Sequence, residues 1–155
     1  MVLSKTKSIG VAVVLIITIA ATVWFAARDE ALAITVYKIP GCTCCQDWIE
    51  HLVSAGFKVA AVEEEALTTI RAQHGISDKL SSCHTAIIDG YVIEGHVPAD
   101  HIKQLLNVHP DAQGLVVPGM PQGSPGMEAE NGLTQPYDVL LLMRDGSTRV
   151  FAHHG

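Results

Sequence analysis

Residues 34–45 have the sequence ITVYKIPGCTCC, and three cysteines end it. The β-branched run from Ile34 to Ile39 predicts a β-strand, which the following Pro-Gly pair terminates. Cys42, Cys44 and Cys45 then fall within four positions. Few structural roles need three thiols so close together, so this stretch indicates a soft-metal site or a redox centre.

A helix is predicted to begin inside the cysteine cluster. Apolar residues recur at intervals of three and four from Cys45 to Val53, and Gly56 supplies a C-terminal stop. Cys45 lies on the inward stripe of this helix. Cys42 precedes the helix and Cys44 opens it, so both sulfurs should be more exposed and close to backbone N–H groups that lower a thiol pKa. These two cysteines are therefore the better nucleophiles or ligands.

The rest of the chain alternates between strand and helix patterns. The predicted elements are a strand at Phe57 to Val62, an acidic helix at Glu63 to Gln73, strands at Thr85 to Ile88 and Tyr91 to Glu94, and a helix at Pro98 to Asn107. A β-α-β-α-β-β-α order with cysteines between the first strand and first helix predicts an α/β, thioredoxin-like domain over residues 34–155. Cys42 and Cys45 keep the C-x-x-C spacing of such domains.

A C-terminal extension follows the last helix. The run Gly114 to Gly132 is rich in proline and glycine and predicts a long irregular loop. Tyr137 to Met143 and Thr148 to Ala152 predict a closing β-hairpin that extends the sheet. The loop contains Met120 and Met127, whose thioethers are either auxiliary Cu(I) donors or adaptable apolar filler.

The only other cysteine, Cys83, stands next to His84. This pair occupies the loop before the third strand, where thioredoxin-like proteins have a proline loop facing the cysteine motif. Thiolates are soft donors that select Cu(I) and zinc, and a mixture with imidazole suits copper. Zinc is the competitor, because a Cys3His set could complete a tetrahedral site, but zinc ligands are usually spaced by two to four residues.

The histidines differ in what their positions predict. His84 is the candidate ligand, with hydrogen bonding within the loop as the alternative, and His96 either faces the site or caps the next helix. His51 falls on the polar helix face and is expected to be solvated. The others are read as surface residues (His74, His101, His109) and as a mobile terminal pair able to hold Cu(II) weakly (His153, His154).

Residues 1–33 predict a signal peptide or membrane anchor. Lys5 and Lys7 precede an apolar run from Ile9 to Ala27, which is nearly long enough to span a bilayer. Ala31-Leu32-Ala33 nevertheless has the small-x-small form of a cleavage site, so both outcomes stay open. Either one places the domain, in a bacterial chain, on the periplasmic face of the inner membrane or free in the periplasm.

Charge and motif content exclude other functions. Residues 34–155 carry seven Lys and Arg against fourteen Asp and Glu, a net charge of −7. An acidic domain without basic clusters offers no electrostatic footprint for nucleic acid. No nucleophilic serine, general base or phosphate-binding loop is evident, so we assign no catalytic residue, and any catalysis would be redox chemistry at sulfur or metal.

Four segments carry a family resemblance: YKIPGCTCC (37–45), SCHT (82–85), DGYVIEGHVP (89–98) and VPGMPQGSPGME (117–128). Together they resemble the CopG-like metal-binding family, long catalogued as a domain of unknown function. The resemblance implies a thioredoxin-like fold and a role in bacterial copper resistance. It also implies that the cysteines correspond to copper ligands, and a redox role that interconverts Cu(I) and Cu(II) is proposed for that family.

Several functions are therefore weighed. The first is a periplasmic copper-binding protein that uses Cys42, Cys44, Cys45, Cys83 and His84, with metal ions and copper-handling proteins as partners. The second is a thiol-disulfide oxidoreductase in which Cys42 attacks and Cys45 resolves. A copper chaperone or store without redox turnover is the third. The fourth assigns the cysteines to structural disulfides, which an oxidising compartment favours.

Overall fold

The computed structural model describes residues 32–155, whose strands form one seven-stranded sheet in the order β2-β1-β3-β4-β5-β6-β7. The strands are β1 (Ala33–Lys38), β2 (Lys58–Glu63), β3 (His84–Ile88), β4 (Tyr91–Glu94), β5 (Gly114–Val116), β6 (Tyr137–Leu142) and β7 (Thr148–His154). The helices in these residues are α1 (Thr43–Ser54), α2 (Thr68–Gln73) and α3 (Ala99–Val108), with a 3-10 turn at Asp78–Leu80.

The sheet is mixed in direction. β1 runs parallel to β2 and antiparallel to β3, and β3 and β4 form an antiparallel hairpin. β4 is parallel to β5, β5 is antiparallel to β6, and β6 is antiparallel to β7. The α/β prediction is confirmed, and the element order up to α3 is the predicted β-α-β-α-β-β-α. The terminal hairpin extends the sheet as expected.

Helix α1 begins where the sequence pattern places it. Cys42 is its N-cap, in extended conformation, and its Sγ accepts a hydrogen bond from the Cys45 backbone N–H at 3.3 Å. The buried stripe consists of Cys45, Trp48, Ile49 and Leu52. Burying these apolar side chains supplies most of the stability of a helix this short. The Trp48 indole N–H also donates to the Val97 carbonyl at 2.9 Å, which joins α1 to the segment before α3.

The core has two layers, one on each face of the sheet. The larger layer packs α1 and α3 residues such as Leu52 and Ile102 against Ile93 and Leu115. The smaller layer consists of Ile76, Val92, Val116 and Leu142. Neighbouring residues on a strand point to opposite faces, so β4 and β5 contribute to both layers. These central strands are consequently apolar throughout, as strands buried on both faces are.

Two predicted boundaries were wrong. The acidic helix predicted from Glu63 begins only at Thr68, because Glu63 instead ends β2, pairs with Lys38 in the sheet and holds its ammonium group at 2.7 Å. The run predicted to be irregular from Gly114 begins with β5, a three-residue strand between β4 and β6. A strand of three residues is too short to give a periodic signal.

The N-terminal prediction lies outside the described residues. The apolar run and the candidate cleavage site fall within residues 1–31 or at their boundary, and the structure describes the chain from residue 32. Across residues 32–155, no helix has the length and apolar character needed to cross a membrane.

Candidate metal centre

The structure brings all four cysteines together, as the sequence predicts. Cys42, Cys44 and Cys45 lie at the start of α1, and Cys83 immediately precedes β3, which is the strand next to β1. The four Sγ atoms lie within 4.8 Å of one another. Cys44 Sγ is 3.5 Å from Cys42 Sγ and 3.7 Å from Cys83 Sγ, so Cys44 links the two segments.

The cluster is half oxidised. Cys42 and Cys45 form a disulfide with their Cα atoms 5.4 Å apart, whereas Cys44 and Cys83 are free thiols. Cys45 is fully buried, as the helical pattern predicts, and its Sγ lies 3.6 Å from the Cys83 carbonyl oxygen. Cys42 and Cys44 are partly exposed. The site therefore combines a disulfide with two free thiols in van der Waals contact.

A second group of donors shares Cys83. Its Sγ lies 3.2 Å from His84 Nδ1 and 3.0 Å from His96 Nε2. The opposite ring nitrogens contact backbone carbonyls: His84 Nε2 is 3.0 Å from Gly95 O, and His96 Nδ1 is 2.8 Å from Pro125 O. A carbonyl oxygen can only accept, so those nitrogens carry the hydrogens and the other two direct lone pairs at Cys83. Carbonyl groups hold metal-binding histidines in this way in many proteins.

Burial sets the protonation of this second group. Burial, followed by the neighbouring His96, lowers the pKa of His84 to about 3. Burial also lowers the pKa of His96. For Cys83, burial and then the adjacent Cys44 raise the pKa to about 12. At neutral pH the metal-free site therefore holds two neutral imidazoles and a protonated thiol, and a metal ion would bind by displacing that proton.

A buried ion pair fixes the backbone just before Cys83. The Glu94 carboxylate is fully buried and accepts from the Ser82 N–H at 2.7 Å, the Thr85 hydroxyl at 2.5 Å and the Arg71 guanidinium at 2.8 Å. Arg71 Nη2 also donates to the Ser82 carbonyl at 2.6 Å. Both backbone polar groups of Ser82 are thus bound by the same ion pair. Such a clamp restricts where the Cys83 thiol can lie.

The connection from β5 to β6, residues 117–136, covers the site. Ser82 Oγ donates to the Gly119 carbonyl, and Pro125 supplies the acceptor for His96. Gly126 packs directly on α1: a Cβ atom there would lie 2.7 Å from Trp48 N and 2.8 Å from Cys44 O. Only glycine allows the two backbones to approach so closely. The proline- and glycine-rich connection therefore forms one wall of the cysteine cluster.

The structure also places the remaining predicted site residues. His84 is buried and packs against Trp48, with the ring centroids 4.2 Å apart and the planes tilted by 33°. Met120 is 53% exposed and Met127 is partly buried. Their role as auxiliary donors stays a prediction, as does metal binding by the cysteines.

Several histidines differ from expectation. His96, for which two positions were open, faces the site. His51 is not simply solvated, because its Nε2 accepts the Ala99 backbone N–H at 3.1 Å. His101 contacts His154, so neither is an isolated surface residue, and His154 belongs to β7 rather than to a mobile tail. These contacts join residues distant in sequence, which local spacing cannot predict.

Arg71 and Glu94 went unnoticed in the sequence. A glutamate at the end of the apolar strand YVIE was an available signal, since a buried carboxylate requires a partner. The partner, Arg71, lies 23 residues earlier and carries no comparable signal.

Comparison with known proteins gives two kinds of match. A family model described as "Protein of unknown function, DUF411" matches residues 80–127. Two solved structures, named copper resistance protein CopG form 2 and form 1, are each 43% identical to this chain. The alignments cover 81% of this chain and 100% and 98% of theirs, with TM-scores of 0.77 and 0.76. No curated protein matches.

Proposed function

The chain belongs to the CopG family of copper resistance proteins, and from that premise we propose that it binds copper through Cys42, Cys44, Cys45, Cys83, His84 and His96. The observation that carries this proposal is the surroundings of Cys83. Two neutral imidazoles direct lone pairs at its sulfur. The Cys83 thiol has one hydrogen and can donate it to only one of these two nitrogens. A positive ion bound between the sulfur and the two nitrogens would accept a lone pair from each of the three atoms.

The donor set favours Cu(I). Thiolate sulfur is a soft ligand, and a site rich in it selects Cu(I) over hard cations. Zinc is the weaker candidate, because three donors within four residues are crowded relative to ordinary zinc sites. Met120 and Met127 are the proposed auxiliary donors, since thioethers also suit Cu(I) and both lie on the connection that covers the cluster.

We also propose that the site changes the oxidation state of copper. When the reduced Cys42 and Cys45 thiols close their disulfide, they release two electrons and two protons. Two Cu(II) ions each take one electron and become Cu(I). A dithiol reductant of the thioredoxin type would then exchange with the disulfide and restore the two thiols. The contact between the disulfide and the free Cys44 thiol supports this route, because the electrons would travel only between touching atoms.

Copper loading of the reduced full-length chain under anaerobic conditions tests the binding. We expect bound Cu(I) with loss of thiols that react with a thiol reagent, and most of this binding should disappear in Cys83→Ser. Ser81→Ala changes a neighbouring exposed side chain and should bind as the wild type does. Metal-free protein with all four cysteines paired would overturn the proposal. Reduced protein that is then mixed with Cu(II) and forms neither Cu(I) nor the Cys42–Cys45 disulfide would leave binding intact and refute redox turnover.

One observation favours a second candidate, a thiol-disulfide oxidoreductase. The Cys42–Cys45 disulfide has the C-x-x-C spacing and lies at a helix N-terminus, where thiolates are stabilised. Turbidimetric reduction of insulin distinguishes the two candidates. An oxidoreductase would reduce insulin and keep that activity in Cys83→Ser. A copper protein should show no insulin reduction above the dithiol control.

We further propose a periplasmic location. The support is the predicted N-terminal export segment together with cysteine oxidation, which persists in oxidising compartments. Fusion of the chain to a reporter that fluoresces only in the cytoplasm tests this proposal, and bright cells would refute it.

A further inference from the structure

A pair of histidines lies outside the cysteine site and is not used by the proposed function. His101 belongs to α3 and His154 to β7, 53 residues apart in sequence. Their Nε2 atoms are 2.8 Å apart, and the rings meet at 74° with centroids 5.1 Å apart. Two nitrogens at this distance share either a hydrogen or a metal ion.

Neighbouring aromatic rings fix both imidazoles. Tyr137 stacks on His154 with the centroids 4.6 Å apart and the planes 4° from parallel. The ring of Phe151 lies nearly perpendicular to that of His101, at 87°, with the centroids 5.9 Å apart. Rings held in this way lose little freedom when a ligand binds, so less of the binding free energy is spent on ordering them. Both histidines are nevertheless partly exposed, which leaves the pair open to solvent.

The distance between the nitrogens suits a particular metal geometry. When metal–nitrogen bonds are about 2.0 Å long, two ligands at a right angle have their nitrogens about 2.8 Å apart. Square-planar or tetragonal coordination with such angles is typical of Cu(II). Imidazole nitrogen also binds Cu(II) more tightly than any other divalent ion of the first transition row. The pair therefore differs in chemistry from the thiol cluster, which suits Cu(I).

His153, although adjacent in sequence, does not belong to this pair. Consecutive residues of a strand point to opposite faces of the sheet, so the side chains of His153 and His154 diverge. His153 Nδ1 instead contacts Asp138 Oδ1 at 2.7 Å on the neighbouring strand.

We propose that His101 and His154 form a second copper site, at the surface, that binds one Cu(II) ion independently of the cysteines. Solvent water completes the coordination. The ring that carries the shared hydrogen releases it from Nε2 to solvent and takes a proton from solvent on Nδ1, so both rings bind as neutral imidazoles through Nε2. Copper stays as Cu(II), and no electron is transferred at this site.

Titration of the full-length chain with Cu(II) tests this proposal after the free thiols have been capped with N-ethylmaleimide. Calorimetry measures the affinity, and electron paramagnetic resonance counts the coordinated nitrogens. We expect one ion bound by two imidazoles. His101→Ala and His154→Ala should each weaken it by more than the roughly 10- to 100-fold that loss of an outer-shell partner costs. His84 and His96 are present in every variant, so any Cu(II) they bind cancels in the comparison.

His153→Ala is the matched control and should bind as the wild type does. Binding that survives His101→Ala but fails in His153→Ala would assign the ion to the chain terminus and overturn the proposal. Equal Cu(II) binding by all three variants would also overturn the proposal, because it would show that the two histidines form only a structural hydrogen bond. Protection of the histidines from diethylpyrocarbonate by Cu(II) provides a second readout, and thermal melting shows whether each variant is folded. The result does not depend on whether the cysteines bind copper.

Discussion

Cys83 is the residue on which the candidate site depends most. Its sulfur contacts Cys44 on one side and two imidazoles on the other, so it belongs to both groups of donors. The Arg71–Glu94 ion pair fixes the peptide before it. Removing one partner of a buried ion pair leaves the other charge uncompensated and costs about 3–5 kcal/mol. This ion pair therefore maintains the geometry of the site although it contributes no ligand.

The buried histidines make the stability of the metal-free protein depend on pH. Unfolded His84 has its ordinary pKa of 6.5, whereas burial lowers the pKa to about 3 in the folded state. Below pH 6.5 the unfolded chain binds a proton that the folded chain rejects, so stability falls as pH decreases from 6.5 towards 3. His96 acts in the same direction.

We expect the free energy of unfolding to drop between pH 7 and pH 5.5 by about 1 kcal/mol from His84 alone. Urea titrations at the two pH values measure this change, and His84→Leu should reduce it. Ser81→Ala, which removes no titrating group, should retain the full drop. A His84→Leu variant with the wild-type pH dependence would contradict the assignment.

The individual residues also show how far sequence reasoning extends. The four cysteines and His84 were identifiable because thiols are rare in this chain and grouped in two motifs. His96 was ambiguous, since its direction depends on the Pro125 carbonyl, 29 residues later. Arg71 could not be identified as a site residue, because nothing local distinguishes an arginine that reaches Glu94 from one in solvent.

Helix α1 and the 117–136 connection act as one unit. Gly126 approaches the helix backbone at Trp48 and Cys44 and has φ of +79°, so both space and conformation require glycine there. The Pro125 carbonyl beside it orients His96. A displacement of this loop would therefore change the cysteine helix and the histidine together.

Gly126→Ala tests this coupling. We expect a destabilisation of about 1–3 kcal/mol from the forced contact, beyond the penalty for a positive φ, together with weaker copper binding. Gly132→Ala is the matched control, because Gly132 also has positive φ (+69°) but nothing within 4 Å of a Cβ atom. Chemical denaturation of both variants measures the difference. Equal losses would mean that conformation alone, and not the contact with α1, requires the glycine.

The elements differ in how well their patterns predicted them. α1 was recognisable because its apolar positions follow one stripe and glycine ends it. The predicted start of α2 was wrong because Glu63, despite its helix propensity, belongs to β2. There it pairs with Lys38 on β1. β5 could not be predicted because three residues are too few to form a stable strand alone. It forms by pairing with β4 on one side and β6 on the other.

Across residues 32–155, one continuous sheet joins the cysteine half to the C-terminal hairpin. Leu142 on β6 is 1% exposed and packs in the smaller core layer with Ile76, Val92 and Val116. The hairpin is therefore attached through side-chain packing as well as backbone hydrogen bonds. It should unfold with the rest of the domain.

Leu142→Ala should destabilise the whole domain by about 2–5 kcal/mol, because it leaves a cavity in a fully buried layer. Fluorescence of the buried Trp48, which lies in the other core layer, should report the same transition as far-ultraviolet circular dichroism. Val150→Ala on β7, where the side chain is 62% exposed, is the control and should change stability by less than about 0.5 kcal/mol. Two separate transitions would show that the hairpin folds on its own.

The contact between Gly126 and α1 has a consequence for the order of events during folding. Cys42, the N-cap of α1, and the two cysteines in its first turn follow β1 closely and become available as soon as that part of the chain is synthesised. The 117–136 connection, which covers them, lies about 80 positions later in the chain. It can dock only after β4 and β5 pair, and such non-local pairings form late. The nascent thiols are therefore open to oxidants and stray metals until the 117–136 connection covers them.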